Sequence, residues 1–240
     1  LQGTIILTSL LTGLSTAIGA VFILLMGRIS KSRLAFVLGF AAGIMIAIST
    51  LSLLPVGLIY GAFWQVAAGF GVGVGFMFLL DLLLARRGET RLAESAEYFK
   101  MGCFIALGIA LHNLPEGLAL GAGYQVTNEM GFMLAAAIAL HNIPEGIGIA
   151  APLKMSGVRN WLIFFITASA GAFTLLGTLI SLLLFQVSSH LLSAAMGFAA
   201  GAMLYIASDE LIPRSHSENA ARSNFGILGG FLLVFILSFL

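Results

Sequence analysis

Long apolar runs separated by short polar breaks dominate the chain. They fall near residues 4–26, 34–55, 60–84, 100–123, 130–152, 160–185, 190–213 and 224–240. A helix needs roughly 20 such residues to cross the hydrocarbon core of a bilayer, and only the last run is short for that. A β-barrel would show strictly alternating segments of about 10 residues instead. The pattern predicts an all-α membrane protein of eight transmembrane helices, forming a single transmembrane domain over residues 1–240.

Composition narrows the function. Of 240 residues, 60% are apolar and 9% charged, against about 25% charged in a soluble domain. A soluble enzyme is thereby excluded, and the lipid bilayer becomes the expected surround. The net charge of +1 leaves no basic face for nucleic acid. The single cysteine, Cys103, can form neither an internal disulfide nor a thiolate metal site alone. The first residues, Leu-Gln-Gly-Thr, lack a basic n-region and are not read as a cleaved signal peptide.

The positive charges give orientation. Arg28, Lys31 and Arg33 follow span 1; Arg86, Arg87, Arg91 and Lys100 follow span 3. Lys154 and Arg159 follow span 5, and Arg214 and Arg222 follow span 7, which accounts for all 11 lysines and arginines. The loops after spans 2, 4 and 6 hold none. The positive-inside rule then puts the odd loops in the cytoplasm and both termini outside. The longest loop, ARRGETRLAESAEYF at 85–99, reads as a solvated connector or short amphipathic helix.

Two repeats lie inside the chain. GFAAGIM at 39–45 recurs as GFAAGAM at 197–203, an offset of 158 that also carries Pro55 onto Pro213. Spans 2 and 7 run in opposite senses, as an inverted repeat requires. HNLPEG at 112–117 recurs as HNIPEG at 141–146, in spans 4 and 5. The pairings predict a 3+2+3 arrangement, with spans 1–3 mirroring 6–8 around a central pair.

The HNxPEG motifs carry the chemistry. His112 and His141 sit near mid-membrane, with Glu116 and Glu145 one turn further on. Charged groups at that depth cost about 3 kcal/mol or more each, and no lysine or arginine lies inside a span to neutralise them, Lys100 standing at the very start of span 4. A cation from elsewhere is required. His112 and Glu116 are i, i+4; Asn113 and Glu116 are i, i+3, and the second motif repeats this with His141, Asn142 and Glu145. Each glutamate can serve two adjacent sites. Imidazole with carboxylate suits Zn²⁺, and amide oxygen with carboxylate suits Mn²⁺ or Fe²⁺. Pro115 and Pro144 free the carbonyls of Leu111 and Leu140. The competing account makes these residues interhelical hydrogen-bond glue, which explains a single polar residue better than two identical hexapeptides.

Other polar residues are less distinctive. Asp209, Glu210 and His216 lie at the inner end of span 7 and Asp81 at that of span 3, where an acidic mouth for a cation or plain solvated helix ends both fit. Met45 has a thioether, but core packing is its simplest role among nine methionines. His190, Trp64 and Trp161 sit at span ends as interfacial residues.

These motifs resemble the ZIP family of divalent-metal transporters, in its prokaryotic GufA-like and ZupT-like branch. The resemblance covers the whole chain: eight spans, paired HNxPEG, GFAAGIM, and SDELIP in span 7. It implies inward transport of Zn²⁺, often with Fe²⁺, Mn²⁺ or Cd²⁺, across the cytoplasmic membrane by a homodimer, without a resident cofactor. Spans 1, 4, 5 and 6 would move against the others as an elevator. One metal site would draw on His112, Glu116, His141 and Glu145, with Met45 in the position of a span-2 ligand. A neighbouring site would draw on Asn113, Glu116, Asn142 and Glu145, and Asp209, Glu210 and His216 match the cytoplasmic exit. This chain has Thr174 where relatives carry a span-6 glutamate, so its second site is expected to bind weakly. Ser52 stands where ZupT-like sequences carry glutamate, which favours zinc over iron.

The rival reading is an intramembrane metal-dependent hydrolase. HNxPEG superficially resembles HExxH, but neither the i, i+4 histidine pair nor the adjacent glutamate base is present.

Overall fold

The computed structural model describes residues 2–27, 29–85, 94–183 and 188–238. Arg28, Arg86, Arg87 and Arg91 of the basic loops lie outside them. Nine α-helices are found among the described residues: α1 (Gln2–Leu25), α2 (Lys31–Ile48), α3 (Leu54–Tyr60), α4 (Phe63–Ala85), α5 (Glu94–Val126), α6 (Asn128–Met155), α7 (Asn160–Leu183), α8 (Ser189–Tyr205) and α9 (Ile212–Leu237). The segment expected as a connector ends in helix, because Glu94 to Phe99 form the first turns of α5. Glu94 and Glu97 there meet the positive end of the helix dipole.

Local chemistry sets the helix ends. Ser30 accepts from the Arg33 amide at 3.3 Å, and Thr127 from the Met130 amide at 3.0 Å, so each N-terminus has a side-chain cap. Gly27 after α1 and Gly157 after α6 have φ of 68° and 79°, a backbone that lets the chain leave a helix without a Cβ clash. Lys154 donates to the Ile23 and Leu24 carbonyls at 2.6 and 3.0 Å, closing the C-terminus of α1.

The 158-residue offset reappears in the backbone. Ser49–Leu53 and Ile206–Leu211 are π-helical, and the amides of Leu54 and Ile212 donate to the carbonyls of Ser49 and Ala207. Pro55 and Pro213 follow at the starts of α3 and α9. A proline has no N–H to give, and a wider helical turn absorbs the missing bond.

Among the described residues, seven stretches are long and apolar enough to cross a membrane, against the eight runs in the sequence. The difference is Ser189–Leu237, a single stretch of 49 residues interrupted at Asn219 (φ −169°, ψ 101°). Ser215 Oγ lies 2.6 Å from Ser223 Oγ, and His216 Nε2 lies 2.9 Å from Asn224 Oδ1. In a continuous helix, residues eight apart are separated by about 12 Å. The chain therefore doubles back at Asn219, whose Oδ1 accepts from the Arg222 amide and caps the second arm.

The helices fall into two groups. In one, α1, α5, α6 and α7 pack together; in the other, α2 packs on α9, and α4 on α8. Lipid tails are as apolar as the side chains, so close backbone approach holds such helices together. A Cβ at Gly13 would strike the Gly171 carbonyl and one at Gly171 the Gly13 carbonyl; Gly19 seats likewise on Ile143, and Gly177 on Leu114. In the second group Gly39 and Gly43 seat on the Ser223 and Ile227 carbonyls, and Gly69 and Gly73 on those of Ala194 and Phe198. Between the groups, where α5 meets α8 and α2 meets α6, Gly108 faces the side chains of Ile206 and Met77, and Gly148 the Ala41 methyl at 3.2 Å. Backbone-locked seams lie inside each group, and side-chain contacts lie between them.

Candidate metal site

His112 and His141 lie near the midpoints of α5 (33 residues) and α6 (28 residues), adjacent helices joined by a short turn. His112, Asn113, Glu116, Asn142 and Glu145 are almost completely buried, while the His141 side chain is 16% exposed. The histidines pair across the helix interface. His112 Nε2 is 3.1 Å from Glu145 Oε1, and His141 Nε2 is 3.1 Å from Glu116 Oε1. No lysine or arginine is buried among the described residues, so the imidazoles are the groups that answer the carboxylates.

The asparagines point the other way. Asn113 donates through Nδ2 to the Ala170 carbonyl of α7, and Asn142 to the Thr12 carbonyl of α1, each at 3.1 Å. Position 170 is position 12 plus 158, so the two bonds are equivalent under the repeat. That offset also carries Gly13-x-x-Thr16-x-x-Gly19 onto Gly171-x-x-Thr174-x-x-Gly177. Thr16 and Thr174 are fully buried, with hydroxyls that lack a partner. Sequence reasoning passed over Thr12 and Thr16, although extending the 158 offset into span 1 would have revealed both.

Several buried acceptors at this centre are unsatisfied: Glu116 Oε2, Glu145 Oε2, Asn113 Oδ1 and Asn142 Oδ1, along with His112 Nδ1. A buried oxygen without a donor is costly unless water or a cation meets it. The donor set, carboxylate and imidazole with amide oxygen beside it, is chemically suited to a divalent cation as cargo. Among the described residues, however, no three His, Cys, Asp or Glu side chains are grouped to hold one ion together. The arrangement is two opposed pairs, each carboxylate held by the imidazole of the other helix.

A cavity of about 370 Å³ reaches His141 between α2, α6 and the end of α9. Ile44, Ile48 and Ser52 line it from one side, and Leu237 and Ser238 from another. Met45 is 1% exposed and packs in the apolar core, outside this lining. Of the residues expected at the exit, Asp209 is exposed and Glu210 half-buried, with Asp81 and Asp209 as its anionic neighbours and Lys100 and Arg214 as its cationic ones. His216 is exposed and holds Asn224 across the hairpin.

A helical bundle with large apolar outer faces and two His–Glu pairs enclosed at its centre defines a multi-pass membrane protein. The model of the ZIP zinc transporter family matches residues 85–238, and the chain belongs to that family. It is 36% identical over 226 residues to the zinc transporter ZupT of Chlorobium limicola, covering 85% of each chain. It is 34% identical over 237 residues to ZupT of Escherichia fergusonii, covering 94% of this chain and 92% of that one. With the zinc transporter GufA of Myxococcus xanthus it shares 31% identity over 249 residues, 98% of each. ZIP proteins are transporters rather than enzymes, and the hydrolase reading is set aside.

Proposed function

We propose that the protein carries Zn²⁺ across the cytoplasmic membrane into the cell, binding it at His112, Glu116, His141 and Glu145. Fe²⁺, Mn²⁺ and Cd²⁺ are secondary cargo. The observation that carries this reading is the pair of buried His–Glu contacts at 3.1 Å with a spare oxygen left on each carboxylate. An incoming cation supplies the positive charge that burial otherwise denies them. Relatives named as zinc transporters, matched over most of their length, favour zinc as the cargo.

Counting the two arms about Asn219 separately makes eight spans, arranged 3+2+3 with both termini outside. The loops that hold the lysines and arginines then face the cytoplasm. Asn113 and Asn142, with the same glutamates, form a second site that binds weakly because Thr174 brings no charge. Met45 reaches the cargo only if α2 shifts relative to α6. Asp209, Glu210 and His216 line the release path. The group α1, α5, α6 and α7 moves against the other helices, and two copies of the chain form the working unit.

The test is initial-rate ⁶⁵Zn²⁺ uptake into proteoliposomes, wild type beside Glu145→Ala, with Mn²⁺ and Fe²⁺ as competitors. Saturable uptake that vanishes in the variant is expected. Equal uptake by the two proteins would remove the assignment.

A further inference from the structure

At the basic-loop end of the bundle, three elements meet in a polar cluster. Lys31 opens α2, Glu94, Glu97 and Tyr98 lie in the first turns of α5, and Arg214 and Glu218 precede the reversal at Asn219. Lys31 Nζ is 2.6 Å from Glu94 Oε1 and 3.9 Å from Glu218 Oε2. Arg214 reaches Glu218 at 3.2 Å and Glu97 at 3.5 Å, and its guanidinium lies 4.4 Å from the centre of the Tyr98 ring. The Tyr98 hydroxyl donates to Glu218 at 2.7 Å. Glu218 is the hub: its side chain is 5% exposed and is approached from α2, α5 and its own helix.

The placement of these contacts is what matters. Lys31, Arg214 and Glu218 belong to the group containing α2 and α9; Glu94, Glu97 and Tyr98 belong to the group containing α5. Elsewhere along that boundary the groups touch through apolar side chains such as Ile206 and Met77, which can slide without breaking a directed bond. Here they are joined by ion pairs and a hydrogen bond, which cannot. The cavity that reaches His141 lies toward the other end, beside Ser52 and Ser238.

We propose that Lys31, Glu94, Tyr98, Arg214 and Glu218 form a latch. It holds the cytoplasmic ends of the two helix groups together while the site is reached from the opposite side, and it must part for the cargo to leave. The inference rests on the transport reading and on the relative movement of the two groups. Single exposed ion pairs hold weakly. A network around one nearly buried carboxylate is firmer, yet it exchanges its partners for water once the ends separate. That suits a contact made and broken in each cycle.

The test replaces Cys103 with serine and introduces Lys31→Cys together with Glu94→Cys. In proteoliposomes the pair is bridged by a short bis-methanethiosulfonate reagent and released with dithiothreitol. The latch predicts that bridging lowers initial ⁶⁵Zn²⁺ uptake by about tenfold or more, that reduction restores it, and that either single-cysteine protein is unaffected by the reagent. Unchanged uptake at complete bridging would overturn the latch, because the ends would not need to part. A reduced pair as inactive as the bridged one would overturn it too, since the contact would then be required throughout. Should the wild-type protein, measured alongside, carry no metal, the transport reading fails and the latch falls with it.

Discussion

His112 pairs with Glu145 on the neighbouring helix, Nε2 to Oε1 at 3.1 Å, rather than with Glu116 one turn along its own. His141 and Glu116 make the reciprocal pair. The two HNxPEG strings therefore work as one unit, and neither helix holds a complete donor set. Losing one side chain disturbs both helices at the level of the site, while the glycine seams that hold them to α1 and α7 stay intact.

Glu145→Ala and His141→Ala are expected to lower zinc uptake at least about tenfold while leaving the protein monodisperse in detergent. The substituted groups meet the proposed cargo, and the bundle is held by seams such as Gly13 on Gly171. Uptake and size-exclusion profiles measured on the same preparations check both halves. Wild-type flux in either variant would contradict the assignment.

Access to the site is expected to be unequal. His141 lines the cavity with 16% of its side chain exposed, whereas His112 is sealed. In a Cys103→Ser background, His141→Cys should react with a small membrane-impermeant thiol reagent several-fold faster than His112→Cys. Equal rates would mean that the cavity does not lead to the pair in the way its lining indicates.

Ion preference is expected to follow the missing carboxylates. Thr174 is fully buried with an unpartnered hydroxyl, and Ser52 lines the cavity beside His141. Thr174→Glu should strengthen the second site, and Ser52→Glu should add a hard anionic donor on the approach. Both changes should raise the potency of Mn²⁺ and Fe²⁺ as competitors of zinc uptake. An unchanged competitor ranking in Thr174→Glu would undercut the place given to that residue.

Packing makes a prediction independent of transport. A Cβ at Gly171 would collide with the Gly13 carbonyl, whereas one at Gly71 on α4 meets nothing within 4 Å. Gly171→Leu should destabilise the bundle by about 1–3 kcal/mol, the usual cost of overpacking, and Gly71→Leu should leave it near wild type. Thermal unfolding in detergent, followed by intrinsic fluorescence, separates the two.

The apolar runs, the basic loops and the two repeats were legible from the chain, because each is a local pattern. Twenty apolar residues in a row have few stable forms in lipid other than a helix, and duplicated hexapeptides stand out wherever they fall. The 158 offset extended further than its most obvious string, through paired π-helical turns and into Thr12 and Ala170 as acceptors for the two asparagines. Which histidine meets which glutamate was a tertiary matter. Spacing at i, i+4 shows that His112 and Glu116 share a face, but the rotation of α5 against α6 decides what that face meets. That rotation follows from glycine contacts with α1 and α7, far away in sequence. The gathering of Lys31, Glu94 and Glu218 is likewise a matter of packing between helices, whereas the break about Asn219 falls in the polar stretch between the last two apolar runs. Periodicity along one helix determines which side chains are neighbours on it, and only packing between helices determines what they face.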